Sequence, residues 1–221
     1  MRNWLSVVMV VVLGWAPSSG FADQKIFINK DLFSVNTFHN GKPIAIQRGQ
    51  NPRATVMPAF SFTSRKCPPF CIQPFSAGDK VETIAEMELL GKIQKKGVLL
   101  VDVRRRPWVK TGTIPGAVNL PWVTFRVKNG KTHPNLKKAM AFLGARLKDG
   151  SWDFSGARAV IVFDNGIWDG KARRTIKRLL GTGYPPEKIF WYRQGMQGWH
   201  ILGLNHVNTP NSLDKYLKYN F

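Results

Sequence analysis

The sequence predicts an α/β fold with a mainly parallel central sheet, helices on both faces, and a small β-hairpin extension before it. From about residue 79 onwards, short apolar runs alternate with segments whose apolar residues recur at helical spacing. Alternation of this kind is typical of a parallel sheet covered by helices. Before it, two alternating segments within residues 33–47 flank Asn40-Gly41, which is a strong hairpin turn signal.

The helices and strands are predicted from the period of their apolar residues and from the glycines that close them. Helical spacing predicts helices over residues 81–96, 135–148, 170–180 and 199–204. Short apolar runs predict strands over residues 98–101, 117–120, 159–163 and 189–192. Residues 164–170 therefore form a loop between a strand and a helix, a position at which many α/β enzymes place their chemistry.

The chain has 221 residues, of which 43% are hydrophobic and 21% charged, and these values fit one globular domain with an appendage. Residues 1–22 have the three parts of a secretory signal: Arg2, an apolar run, and small residues ending at Ala22. The apolar run is about a dozen residues, too short to span roughly 30 Å of hydrocarbon. We therefore predict cleavage after Ala22, a periplasmic or secreted protein, and no transmembrane segment after cleavage.

The charge is strongly positive, at +20 for the whole chain. Removal of residues 1–22 would leave 32 Lys and Arg against 13 Asp and Glu, a net charge of +19. This favours an acidic protein partner or another anionic surface. Nucleic acid is not expected, because the basic residues are spread out and carry no nucleic-acid motif. The predicted helix 170–180 has a broad basic face, interpreted either as a solvated face or as a docking surface for an acidic partner.

Two cysteines, Cys67 and Cys71, occur in the stretch KCPPFC. An oxidising compartment permits a structural disulfide. The alternatives are a redox pair, a sulfur acceptor or a pair of soft ligands for a metal such as copper(I). No histidine lies at close metal-motif spacing to the pair, so no metal site is predicted with confidence.

Residues 101–121, VDVRRRPWVKTGTIPGAVNLP, hold a dense set of motif residues. They resemble the rhodanese superfamily, whose pattern is a strand ending in Asp-x-Arg, a gap, and then Gly-His-Ile-Pro-Gly-Ala-x-Asn-Ile-Pro. Thr113 replaces the usual histidine, and Trp108 stands where an acidic residue is common. The matching positions are Asp102, Arg104, Gly112, Ile114, Pro115, Gly116, Ala117, Asn119 and Pro121.

A second stretch, YRQGMQGWHILGL at residues 192–204, resembles the ending of the same family. The resemblance covers about residues 79–204 and implies a rhodanese-like three-layer fold. Read from the residues alone, Asp102 and Arg104 are expected to brace neighbouring loops, and Pro115-Gly116 to form a turn. The chain is accordingly divided into a signal peptide (1–22), an extension with the cysteine loop (23–78), the rhodanese-like domain (79–207) and a tail (208–221).

In rhodaneses the active loop begins with a cysteine whose thiol lies in a cradle of backbone N–H groups and holds a transferred sulfur. The loop here is similar to a subgroup that reads Cys-Asn-Gly-x-Trp-Cys-Gly, but Asp164 and Asp169 stand at the two cysteine positions. A carboxylate cannot form a persulfide. It is, however, a good acceptor for N–H groups of the loop and the helix. We therefore interpret the loop as a vestigial active loop comprising Asp164, Asn165, Gly166, Ile167, Trp168, Asp169, Gly170 and Lys171.

The favoured hypothesis is an exported rhodanese-like domain that lacks the loop nucleophile and acts as a binding or scaffold module, without a cofactor. The alternative keeps chemistry but assigns it to Cys67 and Cys71, as thiol redox, sulfur relay or copper handling. A third hypothesis, that Asp164, Asn165 and Asp169 bind a hard cation, is disfavoured because basic residues follow at once and the spacing matches no calcium loop.

Overall fold

The computed structural model describes residues 25–128 and 131–211. The predicted signal peptide, residues 1–22, lies outside the described residues, as do residues 212–221 of the predicted tail. The first element is an antiparallel hairpin of β1 (Ser34–His39) and β2 (Lys42–Gln47). Asn40 and Gly41 join the strands at φ of 50° and 79°. Positive φ at both turn residues is the geometry that an Asn-Gly hairpin requires, so the predicted hairpin is confirmed.

The remaining elements alternate between strands and helices. The first half comprises α1 (Pro58–Ser61), β3 (Glu82–Ile84), α2 (Glu86–Ile93), β4 (Val98–Asp102), α3 (Arg106–Val109) and β5 (Val118–Asn119). The second half comprises β6 (Val127–Lys128), β7 (Lys131–Thr132), α4 (Leu136–Phe142), β8 (Arg146–Lys148), β9 (Ser151–Asp153), β10 (Ala159–Phe163), α5 (Lys171–Gly181), β11 (Ile189–Tyr192) and α6 (Gly195–Ile201). Short 3₁₀ helices occur at Trp122–Phe125 and Pro186–Lys188.

The central sheet has five strands in the order β3-β11-β10-β4-β5, and every neighbouring pair is parallel. Ile161 in the middle strand pairs with Leu100 on one side and with Phe190 on the other. The carboxyl ends of β4 and β10 therefore meet at one edge of the sheet, where Phe163 pairs with Asp102.

Alternate side chains of each central strand enter two separate cores, as the period of a strand requires. In β10, Val160 and Val162 belong to one core, and Ile161 and Phe163 to the other. Helices α4 and α5 close the first core, whereas α2, α6 and the β1–β2 hairpin close the second. Layers of helix, sheet and helix result, so the predicted three-layer fold is confirmed.

Three of the predicted helices have different bounds in the structure. The segment 81–96 begins with β3, which completes the sheet beside β11, and α2 starts only after it, where the Glu88 carboxylate accepts the Ala85 N–H at 3.2 Å. The predicted helix 135–148 ends at Phe142 because Gly144 adopts a φ of +87°, after which β8 and β9 form a hairpin. The last helix begins earlier than predicted, at Gly195.

The amino-terminal hairpin is fixed to the carboxyl-terminal end of the domain. The Asn205 side chain accepts the Gln47 N–H and donates to the Ala45 carbonyl, each at 2.9 Å. The Gly49 N–H donates to the Gly203 carbonyl at 2.7 Å. Among residues 25–128 and 131–211, no helix combines the length and apolar character needed to cross a membrane.

Gly144→Ala is expected to lower the free energy of unfolding by about 3 kcal/mol, because a side chain there has two costs. Its Cβ would lie 2.1 Å from the Gly156 carbonyl oxygen, and its φ of +87° disfavours any L side chain. Gly181→Ala is the control, since no atom lies within 4 Å of the added Cβ. Urea denaturation of both variants measures the difference, and equal stabilities would contradict this account of where α4 stops.

Candidate functional site

The candidate site is the loop Asp164–Gly170, between the carboxyl end of β10 and the start of α5. The first turn of α6 supports it from beneath. The N–H groups of Met196 and Gln197 donate to the carbonyls of Asp164 and Asn165 at 3.0 and 2.9 Å. Gly195 is needed for this approach, because a Cβ there would lie 2.5 Å from the Asp164 carbonyl oxygen.

Asp164 is fully buried at the start of the loop. One carboxylate oxygen accepts the Gly166 N–H at 3.1 Å, and the other accepts the Ala172 N–H from the first turn of α5 at 2.7 Å. Burial raises the pKa of this carboxyl well above its usual value, and the nearby Asp169 charge adds to the effect, while the two N–H donors act in the opposite direction. Asp164 therefore occupies the interior of the loop and does not face solvent.

Asp169 is the second buried acid of the loop, and only 3% of its surface is exposed. It accepts the Asn165 side-chain amide at 2.8 Å and the Lys171 ammonium at 2.7 Å. It also accepts the Lys171 N–H at 3.2 Å, at the beginning of α5. Both acids thus bind N–H groups at the helix start, where a carboxylate is stabilised by the helix dipole.

Behind the loop lies a fully buried ion pair between Asp102 and Arg104. The guanidinium spans the carboxylate through Nε at 3.0 Å and Nη2 at 2.7 Å. It also donates to the Gly112 carbonyl at 2.6 Å and to the Asn165 side-chain oxygen at 3.4 Å. The Thr113 hydroxyl donates to the Asp102 carboxylate at 2.8 Å. Arg104 therefore links the end of β4, the turn at Gly112 and the candidate loop.

The other motif residues predicted from the sequence lie beside this ion pair or in the turns between β4 and β5. The Asn119 amide donates to the carbonyls of Asp102 and Arg104 at 2.8 and 2.9 Å. Gly112 and Gly116 adopt φ of 129° and 88°. Pro115 precedes Gly116 in the turn that leads to β5. Asn119, Gly112, Pro115 and Gly116 thus belong to the structure that supports the candidate loop.

Cys67 and Cys71 form a disulfide, with their Cα atoms 4.7 Å apart. Their segment lies against the candidate loop. The Gln73 N–H donates to the Ile167 carbonyl at 2.7 Å, and the Gln73 side chain donates to the Cys71 carbonyl at 2.7 Å. The segment that carries the cysteines therefore packs against the loop through Gln73, a placement that the sequence left open.

Aromatic side chains and one arginine cover the loop. We call this set the roof and define it as Phe60, Arg65, Phe70 and Trp108 around Trp168. The Trp168 ring lies 5.2 Å from the Phe70 ring and 6.4 Å from the Trp108 ring. The Arg65 guanidinium lies 4.9 Å from the centre of the Trp168 ring, a distance suited to a cation–π contact. Only Trp108 and Trp168 of this set had been singled out from the sequence.

Two further residues near the roof, Gln197 and Arg193, were not predicted from the sequence. The Gln197 side chain accepts the Trp168 indole N–H at 2.7 Å and donates to the Phe60 carbonyl at 3.2 Å. Arg193 donates to the Gln73 carbonyl at 2.7 Å. Both lie within the carboxyl-terminal stretch that resembles the family, but they also contact the segment from Phe60 to Gln73. No periodicity or motif in the sequence connects these two distant parts of the chain.

The arrangement provides neither a thiol inside the loop nor a good base beside it. His200 packs 5.0 Å from the Phe60 ring, and burial, then the His206 and Arg104 charges, lower its pKa to about 4. Within the part of the chain that the structure describes, no group of three or more His, Cys, Asp or Glu side chains could hold a metal ion. The two buried acids of the loop accept N–H groups of the loop itself and of the first turn of α5.

The strand–loop–helix arrangement on a parallel sheet defines an α/β domain with an N–H-lined loop at a helix start. The sequence profile of the Rhodanese-like domain matches residues 86–202 of the chain. This is more than half of its 221 residues, so the chain belongs to the rhodanese-like domain family. A comparison with curated proteins found no match.

Similar folds occur among solved structures. A protein of unknown function from Rhodopseudomonas palustris CGA009 has 16% identity and a TM-score of 0.40, over 59% of this chain and 88% of the other. Protein SSP1007 from Staphylococcus saprophyticus has 20% identity and a TM-score of 0.37, over 57% and 100%. A thiosulfate sulfurtransferase from Pseudomonas aeruginosa has 22% identity and a TM-score of 0.36, over 61% and 23%.

Asp164→Asn is expected to change how stability depends on pH. Burial raises the pKa of Asp164 in the folded state above the value of 3.8 that it has when exposed, so the folded protein binds this proton more tightly than the unfolded chain does. The natural protein therefore loses stability as the pH rises from about 4 through the raised pKa. The asparagine variant lacks this titration, so its stability relative to the natural protein increases between about pH 5 and pH 8.

Urea denaturation at these two pH values measures the difference. Asp153→Asn is the control, because hydrogen bonds from the Ser155 N–H and from Lys148 lower the pKa of the half-buried Asp153, which places its titration below this window. A stability difference for Asp164→Asn that is constant across the window would show that Asp164 is ionised throughout.

Proposed function

We propose that this protein is a rhodanese-like binding or scaffold module that does not transfer sulfur. One observation carries the proposal: Asp164 and Asp169, which the resemblance places at the cysteine positions of similar loops, are both buried and accept hydrogen bonds from the loop and the helix start. The predicted signal peptide further supports a protein that acts in the periplasm or outside the cell.

Sulfur transfer needs a nucleophile that these residues lack. A thiolate attacks the outer sulfur of thiosulfate, the S–S bond breaks, and the products are an enzyme persulfide and sulfite. A carboxylate oxygen does not form the corresponding stable adduct. In addition, the Gly166, Lys171 and Ala172 N–H groups already bind the two carboxylates, so they are not available to a sulfur-bearing anion.

A binding role is supported by the surface of the segment that covers the loop. Phe62, Ile72 and Phe75 are 67%, 80% and 72% exposed, which is unusual for large apolar side chains in one short segment. Arg65 and Lys66 lie between them in sequence, and the chain as a whole carries a charge of +20. Apolar contacts combined with positive charge suit an acidic protein partner, which is the partner class that we propose.

The purified protein without residues 1–22 is expected to show no thiosulfate:cyanide sulfurtransferase turnover above the uncatalysed rate. Asp164→Cys is the matched variant, because it places a thiol where the similar loops have one. We expect this variant to acquire one sulfur atom from thiosulfate, detected by mass spectrometry. Robust turnover by the natural protein that survives Cys67→Ser and Cys71→Ser would overturn the proposal.

The disulfide provides a second candidate function, favoured by its contact with the loop. Cys67 is exposed, Cys71 is partly buried, and Gln73 connects the segment to Ile167. A thiolate from a partner protein could attack the exposed sulfur and form a mixed disulfide, leaving the other cysteine as a thiolate. The protein would then act as a thiol redox or sulfur-relay protein through Cys67 and Cys71, or bind copper(I) when reduced.

Thiol counting during titration with dithiothreitol tests this second function. A structural disulfide is expected to resist reduction in the folded protein and to yield thiols only after denaturation. Reduction under native conditions, followed by stoichiometric copper(I) uptake that Cys67→Ser abolishes, would instead establish the cysteine-based function. Arg65→Ala is a matched control, since it disturbs the same segment without removing a sulfur.

A further inference from the structure

A second concave surface lies along α5, away from the candidate loop. It is a cleft of about 760 Å³ between α5, α4, the 3₁₀ helix Trp122–Phe125 and Trp152 of β9. This volume is within the range of small-molecule sites. The cleft shares no described lining residue with Asp164–Gly170, so binding there does not depend on the chemistry of the two loop acids.

The floor of the cleft is apolar. Phe125, Met140 and Leu179 are buried at its base, and Leu136 and Trp152 are half-buried at its sides. These side chains come from the first core, where α4 and α5 leave a gap between them. An aromatic or aliphatic body placed here would remove apolar surface of both ligand and protein from water, which is the main driving force for such binding.

The rim of the cleft is cationic. Arg126, Arg174, Lys177 and Arg178 line it, all four are exposed, and no described lining residue is acidic. None of the four forms a salt bridge with another described residue. Their positive charges therefore have no neutralising partner in the part of the chain that the structure describes, and a ligand anion would supply one.

Trp122 connects the floor and the rim. The guanidinium groups of Arg126 and Arg174 each lie 5.9 Å from the centre of a Trp122 ring. Arg126 follows the 3₁₀ helix and Arg174 belongs to α5, so the two cations come from different elements of the cleft. The indole N–H of Trp122 is buried and has no hydrogen-bond partner among the described residues. Trp122 therefore places an aromatic face between two of the rim cations, and an unpaired buried N–H at the same residue adds a polar group that the protein leaves without an acceptor.

We propose that this cleft binds a small amphiphilic anion, with an apolar body on the floor and a carboxylate, sulfonate or phosphate group at the rim. Arg126, Arg174 and Lys177 provide the recognition through their charges, and the Trp122 ring holds the two arginines at the rim. Arginine is well suited to this role, because its planar donors bind two oxygens of one anion. The proposal assigns a ligand to the basic face of α5. From the sequence alone, this face was interpreted either as solvated or as a docking surface.

Decanoate and decanol are the test ligands, because they share a body and differ in charge. Calorimetric titration of the natural protein is expected to show one saturable site for decanoate. Binding of decanol is expected to be about tenfold weaker or more, because decanol cannot make the charge-assisted contact with the rim. Equal affinity for the two ligands, or no saturable binding of decanoate, would overturn the proposal.

Two arginines that are adjacent in sequence provide matched protein variants. Arg174→Ala removes a rim charge, whereas Arg173→Ala removes an exposed charge from the same helix that does not line the cleft. We expect Arg174→Ala to weaken decanoate binding by about fivefold or more and to leave decanol unchanged, with Arg173→Ala close to the natural protein. An equal loss in both variants would show that general surface charge, and not the cleft, attracts the anion.

Leu136→Trp tests the position of the ligand. A larger side chain at this half-buried wall fills the cleft and is expected to reduce binding of both ligands, while circular dichroism verifies that the variant is folded. If decanoate still bound with unchanged affinity, the ligand would lie elsewhere and the proposal would fail.

Discussion

The buried pair of Asp102 and Arg104 holds together the edge of the sheet on which the candidate site is built. Burying an unpaired charge costs several kcal/mol, and this cost is offset only when each polar atom finds a partner. Here the guanidinium binds Asp102, the Gly112 carbonyl and Asn165, and the carboxylate also accepts from Thr113. The end of β4, the following turn at Gly112 and the candidate loop, 61 residues further along the chain, are therefore held at one point.

From this point the polar contacts continue into the loop. Asn165 accepts from Arg104 and donates to Asp169, which in turn accepts the Lys171 ammonium at the start of α5. Asp164 closes the other side of the loop by accepting from Gly166 and Ala172. The two acids thus connect the backbone of the loop to the first turn of α5.

The sequence predicted the parts of this architecture that depend on local patterns or on motif residues. Strands 98–101 and 159–163, the Asn40-Gly41 hairpin and the loop acids all follow from period, turn chemistry or spacing. The strand β3 was missed because Ile84 continues the apolar spacing of α2, and only pairing with β11 distinguishes the strand. The helix 135–148 was extended too far because Gly144 sets the end through a tertiary contact with Gly156.

The contacts around the site depend still more on long-range packing. The roof over the loop joins Phe70 and Gln73 to Ile167 and Trp168, about one hundred residues further along the chain. No sequence pattern reports a contact at that separation. The cleft beside α5 could not be predicted from the sequence for a similar reason. Its basic residues were recognised, but the apolar gap next to them is formed by α4 and Trp152.

The strand order also has a consequence for how the chain folds. The first strand of the sheet, β3, pairs only with the last, β11, and the amino-terminal hairpin is fastened to Asn205. Neither can reach its final position until almost the entire chain is present. Contacts of such long sequence separation slow folding, because the intervening loop must be ordered before the contact forms. Until β11 takes its place, the edge of β10 that it covers has no strand to pair with.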